Sequence, residues 1–184
     1  GSSSRWFKGY DGWFFLGNAS NQTVAKHKLA IRPNIDDVTK FKNTLRELSM
    51  IGIDSNSQIA LLIGPSKSSI YSEKLPFKTP LSKERYIDSY LTKLNDITNL
   101  TVYDPTDDLI NVKKSEGYLY YKTDTHWNEK GSLIALNNLL SKLGYIGPKV
   151  EFSIRDTIAG DLIRISKIKD HKLENGDSWL ANID

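Results

Sequence analysis

At 184 residues, 39% of them hydrophobic and 26% charged, the chain has the size and balance of one globular domain able to bury a core. Its net charge of +3 is spread along the sequence and gathers into no basic face, which argues against a nucleic-acid partner. The absence of cysteine excludes disulfides and thiolate metal sites, and no apolar run approaches the roughly 20 residues needed to span a bilayer.

Gly1-Ser2-Ser3-Ser4 reads as a cloning remnant, so residues 1–8 form a tag and lead and 9–184 a single domain. GYDGWFFLG, residues 9–17, sets an Asp-Gly turn before an aromatic run and predicts a short strand closed by Gly17. From Asp36 to Met50, Val38, Phe41, Leu45 and Leu48 recur at helical spacing, with Asp36 as N-cap and Gly52 as the stop. Ile59 to Ile63 is a continuous apolar run of the kind buried on both faces of a parallel sheet, ending in Gly64-Pro65-Ser66-Lys67. A second helix is predicted over 82–96, with Tyr86, Ile87, Tyr90, Leu91 and Leu94 on its apolar face.

Leu100–Tyr103 then predicts a strand ending at Asp104-Pro105, 106–115 a short helix, and Tyr118–Tyr121 a third strand. The helix Glu129–Leu143 follows, capped by Asn128 and striped by Leu133, Leu136, Leu140 and Leu143. Strands alternating with helices predict an α/β fold, a parallel sheet covered by helices. Beyond Gly147 the periodicity weakens. Ligands of such sheets sit outside the carboxyl ends of the strands, and three polar clusters fall there: Ser66-Lys67, Asp104 and Thr123-Asp124-Thr125-His126. One site is expected to collect all three.

An Asp two residues before a His, in a non-helical turn, can accept the proton of one ring nitrogen and leave the other free as a base. The pattern is short, and the same residues also fit a structural turn. No His-x-His, His-Glu-x-x-His or carboxylate cluster supports a metal, and His27 and His171 sit in polar segments that predict solvated side chains. No metal and no cofactor are expected. Among the hydroxyls, Gly176-Asp177-Ser178-Trp179 could present a serine beside backbone amides able to stabilise an oxyanion, although the polar run before it is unlike a buried strand.

The ordered blocks GYDGWFFLG, LLIGPSKSSIYSEKLP, YLYYKTDTHWNEKGSLIAL and AGDLIRI resemble the alginate O-acetyltransferase family of AlgX and AlgJ type, from about Gly9 to Ile165. The resemblance implies a three-layer α/β/α domain like that of the SGNH hydrolases, with a mainly parallel sheet and the Asp and His ahead of the serine. By position it makes Asp124 the orienting acid and His126 the general base, with Trp127 packed beside them; Ser178 of the Gly-Asp-Ser turn is the candidate nucleophile, and Lys67, in a matching block, and Trp127 are the substrate-binding candidates. It implies a periplasmic or otherwise extracytoplasmic protein that moves acetyl groups to or from sugar hydroxyls, its acetyl donor supplied by a membrane-bound acyltransferase. Two readings of the chain end stand side by side: Ser178 serves a shortened domain, or the nucleophile strand lies beyond Asp184. A different class of function, a non-catalytic polysaccharide-binding or scaffold module, fits the abundance of Trp and Tyr.

Overall fold

Alternation along one aromatic run organises the amino-terminal part of the fold. In the computed structural model, which describes residues 4–78, 84–155, 159–168 and 178–182, β1 (Trp6–Lys8) pairs antiparallel with β2 (Phe14–Leu16). The connecting turn needs left-handed backbone at Asp11 (φ 53°) and Gly12 (φ 79°), which explains the Asp-Gly pair. Successive side chains of an extended chain point to opposite faces. Trp13 and Phe15 therefore enter the main core with Ile70, Tyr71, Leu75, Leu109, Leu119 and Tyr120, while Phe14 packs on Leu162 and Ile163.

A short helix α1 (Thr23–His27) leads to the long helix α2 (Ile35–Asp54). Its N-cap is Asn34, whose side chain accepts from Asp36 N at 2.8 Å, two residues before the expected Asp36. Gly52 lies inside the helix instead of ending it. A Cβ there would stand 2.6 Å from the Ile59 side chain and 2.9 Å from Ser57 O, so this glycine permits a close approach.

Strands β3 (Ile59–Leu62) and β4 (Leu100–Tyr103) pair in parallel, Ile59 against Leu100 through Leu62 against Tyr103. Leu61, Leu100 and Val102 pack with Phe41 and Leu45 of α2, and with Leu94 and Ile97. On the opposite face Tyr103 Oη accepts from Asn138 Nδ2 at 3.0 Å, so α6 (Glu129–Lys142) covers that side. Helix, sheet and helix thus stack in layers. Asn128 caps α6 as its sequence predicts, Oδ1 accepting from Gly131 N at 3.0 Å.

Among the described residues the expected mainly parallel sheet is not seen: they hold three two-stranded sheets, of which β3–β4 is parallel. Tyr118–Tyr121 contributes a single antiparallel bridge, Tyr120 to Trp127. Its ladder groups are taken by other partners: Leu119 N–H donates to Tyr71 Oη (3.0 Å), Leu119 O accepts from Asn128 N (2.9 Å), and the Lys67 ammonium takes Tyr121 O (3.0 Å). The helix expected over 82–96 shrinks to α4 (Asp88–Leu91), residues 82 and 83 lying outside the described residues. The Asp88 carboxylate accepts from Arg85 N at the start, and Lys93, Leu94 and Ile97 donate three residues back, so the apolar face is kept by tight turns.

The remaining elements are α3 (Lys67–Ile70), α5 (Thr106–Glu116), β5 (Glu151–Ile154), α7 (Asp161–Ser166) and β6 (Trp179–Asn182), with β5 and β6 antiparallel. Helix α7 packs on β1 and β2 through Leu162 and Ile163, which carries its first residue to the Asp124 loop.

Candidate active site

The loop from Tyr121 to Asn128 is short and held at both ends. Tyr120 bridges Trp127, Asn128 N–H donates to Leu119 O, and the buried Tyr120 phenol donates to Pro65 O at 2.6 Å. Burial raises that phenol's pKa well above its ordinary value, so it remains a donor. Phe14 N–H donates to Lys122 O at 2.9 Å, which fastens the loop to β2.

Beneath it lies Lys67. Its side chain is buried, and its ammonium donates to the carbonyls of Tyr121 (3.0 Å), Lys122 (3.1 Å) and Asp124 (2.6 Å). The rings of Trp13 and Phe15 stand 5.6 and 5.2 Å away. An ammonium buried in this way is compensated by carbonyl dipoles and ring faces. The structure therefore places Lys67 under the loop, tied to three of its carbonyls.

Within the loop, Asp124 Oδ1 accepts both the backbone N–H of His126 (3.0 Å) and ring Nδ1 (2.7 Å). Two bonds from one residue to one oxygen fix the ring's position. A carboxylate only accepts, so Nδ1 carries a proton, and in the neutral ring Nε2 then presents a lone pair. The His126 side chain is 74% exposed, and Nε2 has no hydrogen-bond partner among the described residues. Burial, the largest single influence, pushes the Asp124 carboxyl up. Hydrogen bonds from the Asp161 N–H and from His126 outweigh it and hold the group below its ordinary value.

Asp161 was not among the residues the sequence singled out for chemistry. Its N–H donates to Asp124 Oδ2 (2.8 Å), its Oδ1 accepts from Thr125 N (2.9 Å), and its Oδ2 accepts from Thr125 Oγ1 (2.7 Å). The contact requires Gly160, where a Cβ would fall 2.4 Å from Thr123 O and 2.5 Å from Asp124 Cβ. Gly160-Asp161 sits inside the block AGDLIRI, so the sequence carried a signal without a chemical reason to read it. Asp124, His126 and Asp161 bring ligand-type atoms within 4.8 Å of one another, close enough to share a cation. Each of the four carboxylate oxygens already accepts a protein N–H or O–H, however, and this is the pattern of a self-contained hydrogen-bonded cluster.

The other expected residues separate. Ser178 is 0% exposed just before β6, its carbonyl accepting from Arg155 N, and none of the hydrogen bonds of His126 among the described residues reaches it. Gly176, Asp177 and His171 lie outside the described residues. Trp127 is half-buried against the main core, its ring edge over Gly64. Asp104 forms its own network: Arg85 Nη2 at 2.5 Å on one oxygen, Thr106 N and Oγ1 on the other. Ser66 and Thr106 line a cleft of about 790 Å³ at the carboxyl ends of β3 and β4, which includes neither Asp124 nor His126. His27, expected to be solvated, also lines this cleft. Its Nε2 is buried with no hydrogen-bond partner among the described residues, and burial, with Lys28 nearby, lowers its pKa. The three polar clusters therefore split: Lys67 joins the histidine loop, while Ser66 and the Asp104 partners Arg85 and Thr106 line the cleft.

Layers of helix, parallel strands and helix, with an acid-oriented histidine on a loop beyond the sheet, have the architecture of an SGNH hydrolase-like domain. More narrowly, residues 7–145 match the family model described as SGNH hydrolase-like domain, acetyltransferase AlgX, and the chain belongs to this family. No curated protein sequence matches it significantly. Among solved structures, the O-acetyltransferase domain of Pseudomonas putida AlgJ is similar at 20% identity and TM-score 0.56, over 87% of this chain and 57% of that one. Bacillus cereus PatB1 is similar at 15% identity and TM-score 0.58 (94% and 56% covered), and its form with a sulfonyl adduct at 17% and 0.62 (93% and 53%). These likenesses show the fold. The chain spans a little over half the length of the solved structures it matches.

Proposed function

We propose that the chain carries the base of a serine-dependent polysaccharide O-acetyltransferase or acetylesterase. The observation that supports it is the 2.7 Å contact between Asp124 Oδ1 and His126 Nδ1 on an exposed imidazole, which leaves Nε2 free of protein partners among the described residues. In this reading Nε2 takes the serine proton as Oγ attacks the acetyl carbonyl, and returns it to the departing donor group. A sugar hydroxyl then attacks the acetyl-serine, giving its proton to Nε2, and the serine oxygen leaves and is reprotonated. Water in place of the sugar makes the same site an esterase. Asp124 stabilises the imidazolium at each transfer.

Ser178 is the serine the sequence marks for this role. Treatment with a sulfonyl fluoride and peptide mapping identifies the nucleophile, and the form of B. cereus PatB1 bearing a sulfonyl adduct makes that reagent the natural choice. A His126→Ala variant should lose acetyl-esterase activity on a chromogenic acetyl ester; full activity in that variant would overturn the reading.

The family further supports a periplasmic or extracytoplasmic setting, a polysaccharide acceptor and a membrane-bound acyltransferase as acetyl source. No helix among the described residues is long and apolar enough to cross a membrane. A second reading, a polysaccharide-binding or scaffold module, is favoured by the burial of Ser178 away from the contacts of His126. Stoichiometric labelling of any serine would exclude it.

A further inference from the structure

We propose that Asp161 is a positioning residue of this site: through Thr125 it holds the His126 ring in the tautomer that leaves Nε2 free. The inference rests on the acyl-transfer reading for its purpose and on geometry for its substance. Thr125 Oγ1 stands 2.7 Å from Asp161 Oδ2 and 3.1 Å from His126 Nδ1. Asp161 only accepts, so the hydroxyl proton points to it, and Thr125 turns a lone pair toward the ring. Nδ1–H is then shared between Asp124 Oδ1 and Thr125 Oγ1, both acceptors. The circuit closes where Asp161 N–H donates to Asp124 Oδ2 at 2.8 Å.

The alternative arrangement shows what Asp161 prevents. A threonine hydroxyl released from its acceptor could rotate and donate to Nδ1. That would favour the tautomer with the proton on Nε2, where the base must be vacant. Asp161 Oδ2 lies 4.0 Å from Nδ1 and on the side of the ring nitrogen already occupied, so it acts through Thr125 and not on a substrate. It is itself held from behind, because Leu162 and Ile163 are buried against Phe14 and Leu162 N–H donates to Thr123 O at 3.1 Å.

The test compares Asp161→Asn, Thr125→Val and Thr125→Ser in the full chain, by long-range 1H–15N spectra of the neutral imidazole and by kinetics on a chromogenic acetyl ester. Wild type and Thr125→Ser should show an unprotonated Nε2. In Asp161→Asn the new amide N–H can donate to Oγ1 and free the hydroxyl proton, so an Nε2–H population should appear. With Thr125→Val, kcat should fall about 10- to 100-fold at unchanged KM, part of the roughly 100- to 10,000-fold that general-base catalysis supplies, and Thr125→Ser should restore it. Wild-type spectra and kcat in both Asp161→Asn and Thr125→Val would overturn the proposal. Should Asp161→Asn fail to fold, the Val and Ser pair still tests whether the Thr125 hydroxyl holds the ring, and a wild-type kcat in Thr125→Val would overturn the proposal. If the wild type hydrolyses no ester, the acyl-transfer reading fails, while the ring spectra still decide the role of Asp161.

Discussion

Replacing Lys67 by Met tests whether this residue serves the loop or a substrate. Methionine retains most of the apolar stem beside Trp13 and Phe15 and removes the ammonium that reaches three carbonyls at 2.6 to 3.1 Å. Hydrogen bonds to a charged group are worth roughly 1.5–3 kcal/mol each, a gross loss of about 5–9 kcal/mol for three. The variant also escapes the desolvation of a buried ammonium, several kcal/mol, which offsets part of that loss. Three carbonyl oxygens remain without this donor, and the net cost expected is about 3 kcal/mol. For a chain of this length each kcal/mol moves Tm by about 2–4 °C, so a drop of roughly 6–12 °C is expected in a thermal melt followed by circular dichroism. Activity measured well below the new Tm should fall through kcat, because the loop carrying Asp124 and His126 is no longer tied down. An unchanged Tm with a raised KM would refute this reasoning and return Lys67 to the substrate-binding role that the sequence suggested.

Gly160→Ala should destabilise by about 1–3 kcal/mol, the cost of overpacking, because its Cβ would meet backbone atoms at 2.4 and 2.6 Å while φ −76° and ψ −177° are open to alanine. Wild-type Tm and activity in that variant would show that the loop and α7 separate freely. Asp124 has a folded pKa below its unfolded value of about 3.9, so its contribution to stability is complete above that value and is lost as pH falls through the folded pKa. The Tm gap between wild type and Asp124→Asn should therefore be widest near pH 7 and shrink below about pH 4, and a gap independent of pH would contradict the assignment.

Features that depend on neighbours in sequence were legible before the structure. Asn128 caps α6 within its own turn, and β4 coincides with its short apolar run because burial of such a segment needs no special partner. Asp124 and His126 are two residues apart, so the bond between them is a local turn that the chain forms wherever the loop is held. The helix predicted over 82–96 kept Leu91 and Leu94 of its apolar face in the core but not its helical ladder, since the Asp88 carboxylate and successive tight turns satisfied its backbone in another way.

What sequence alone determined about this protein is thus the alternating α/β plan and the acid–histidine pair, both products of short-range periodicity and spacing. Tertiary structure decided the rest. Lys67 reaches the histidine loop across 54 to 57 residues and Asp161 reaches it across 36 or 37, and no local pattern encodes such meetings. Lys67 and Tyr71, both distant in sequence, took backbone groups of Tyr118–Tyr121 that a further strand would have used. Ser178 was set beside Arg155 by the pairing of β5 with β6, a register chosen between strands 25 residues or more apart in sequence.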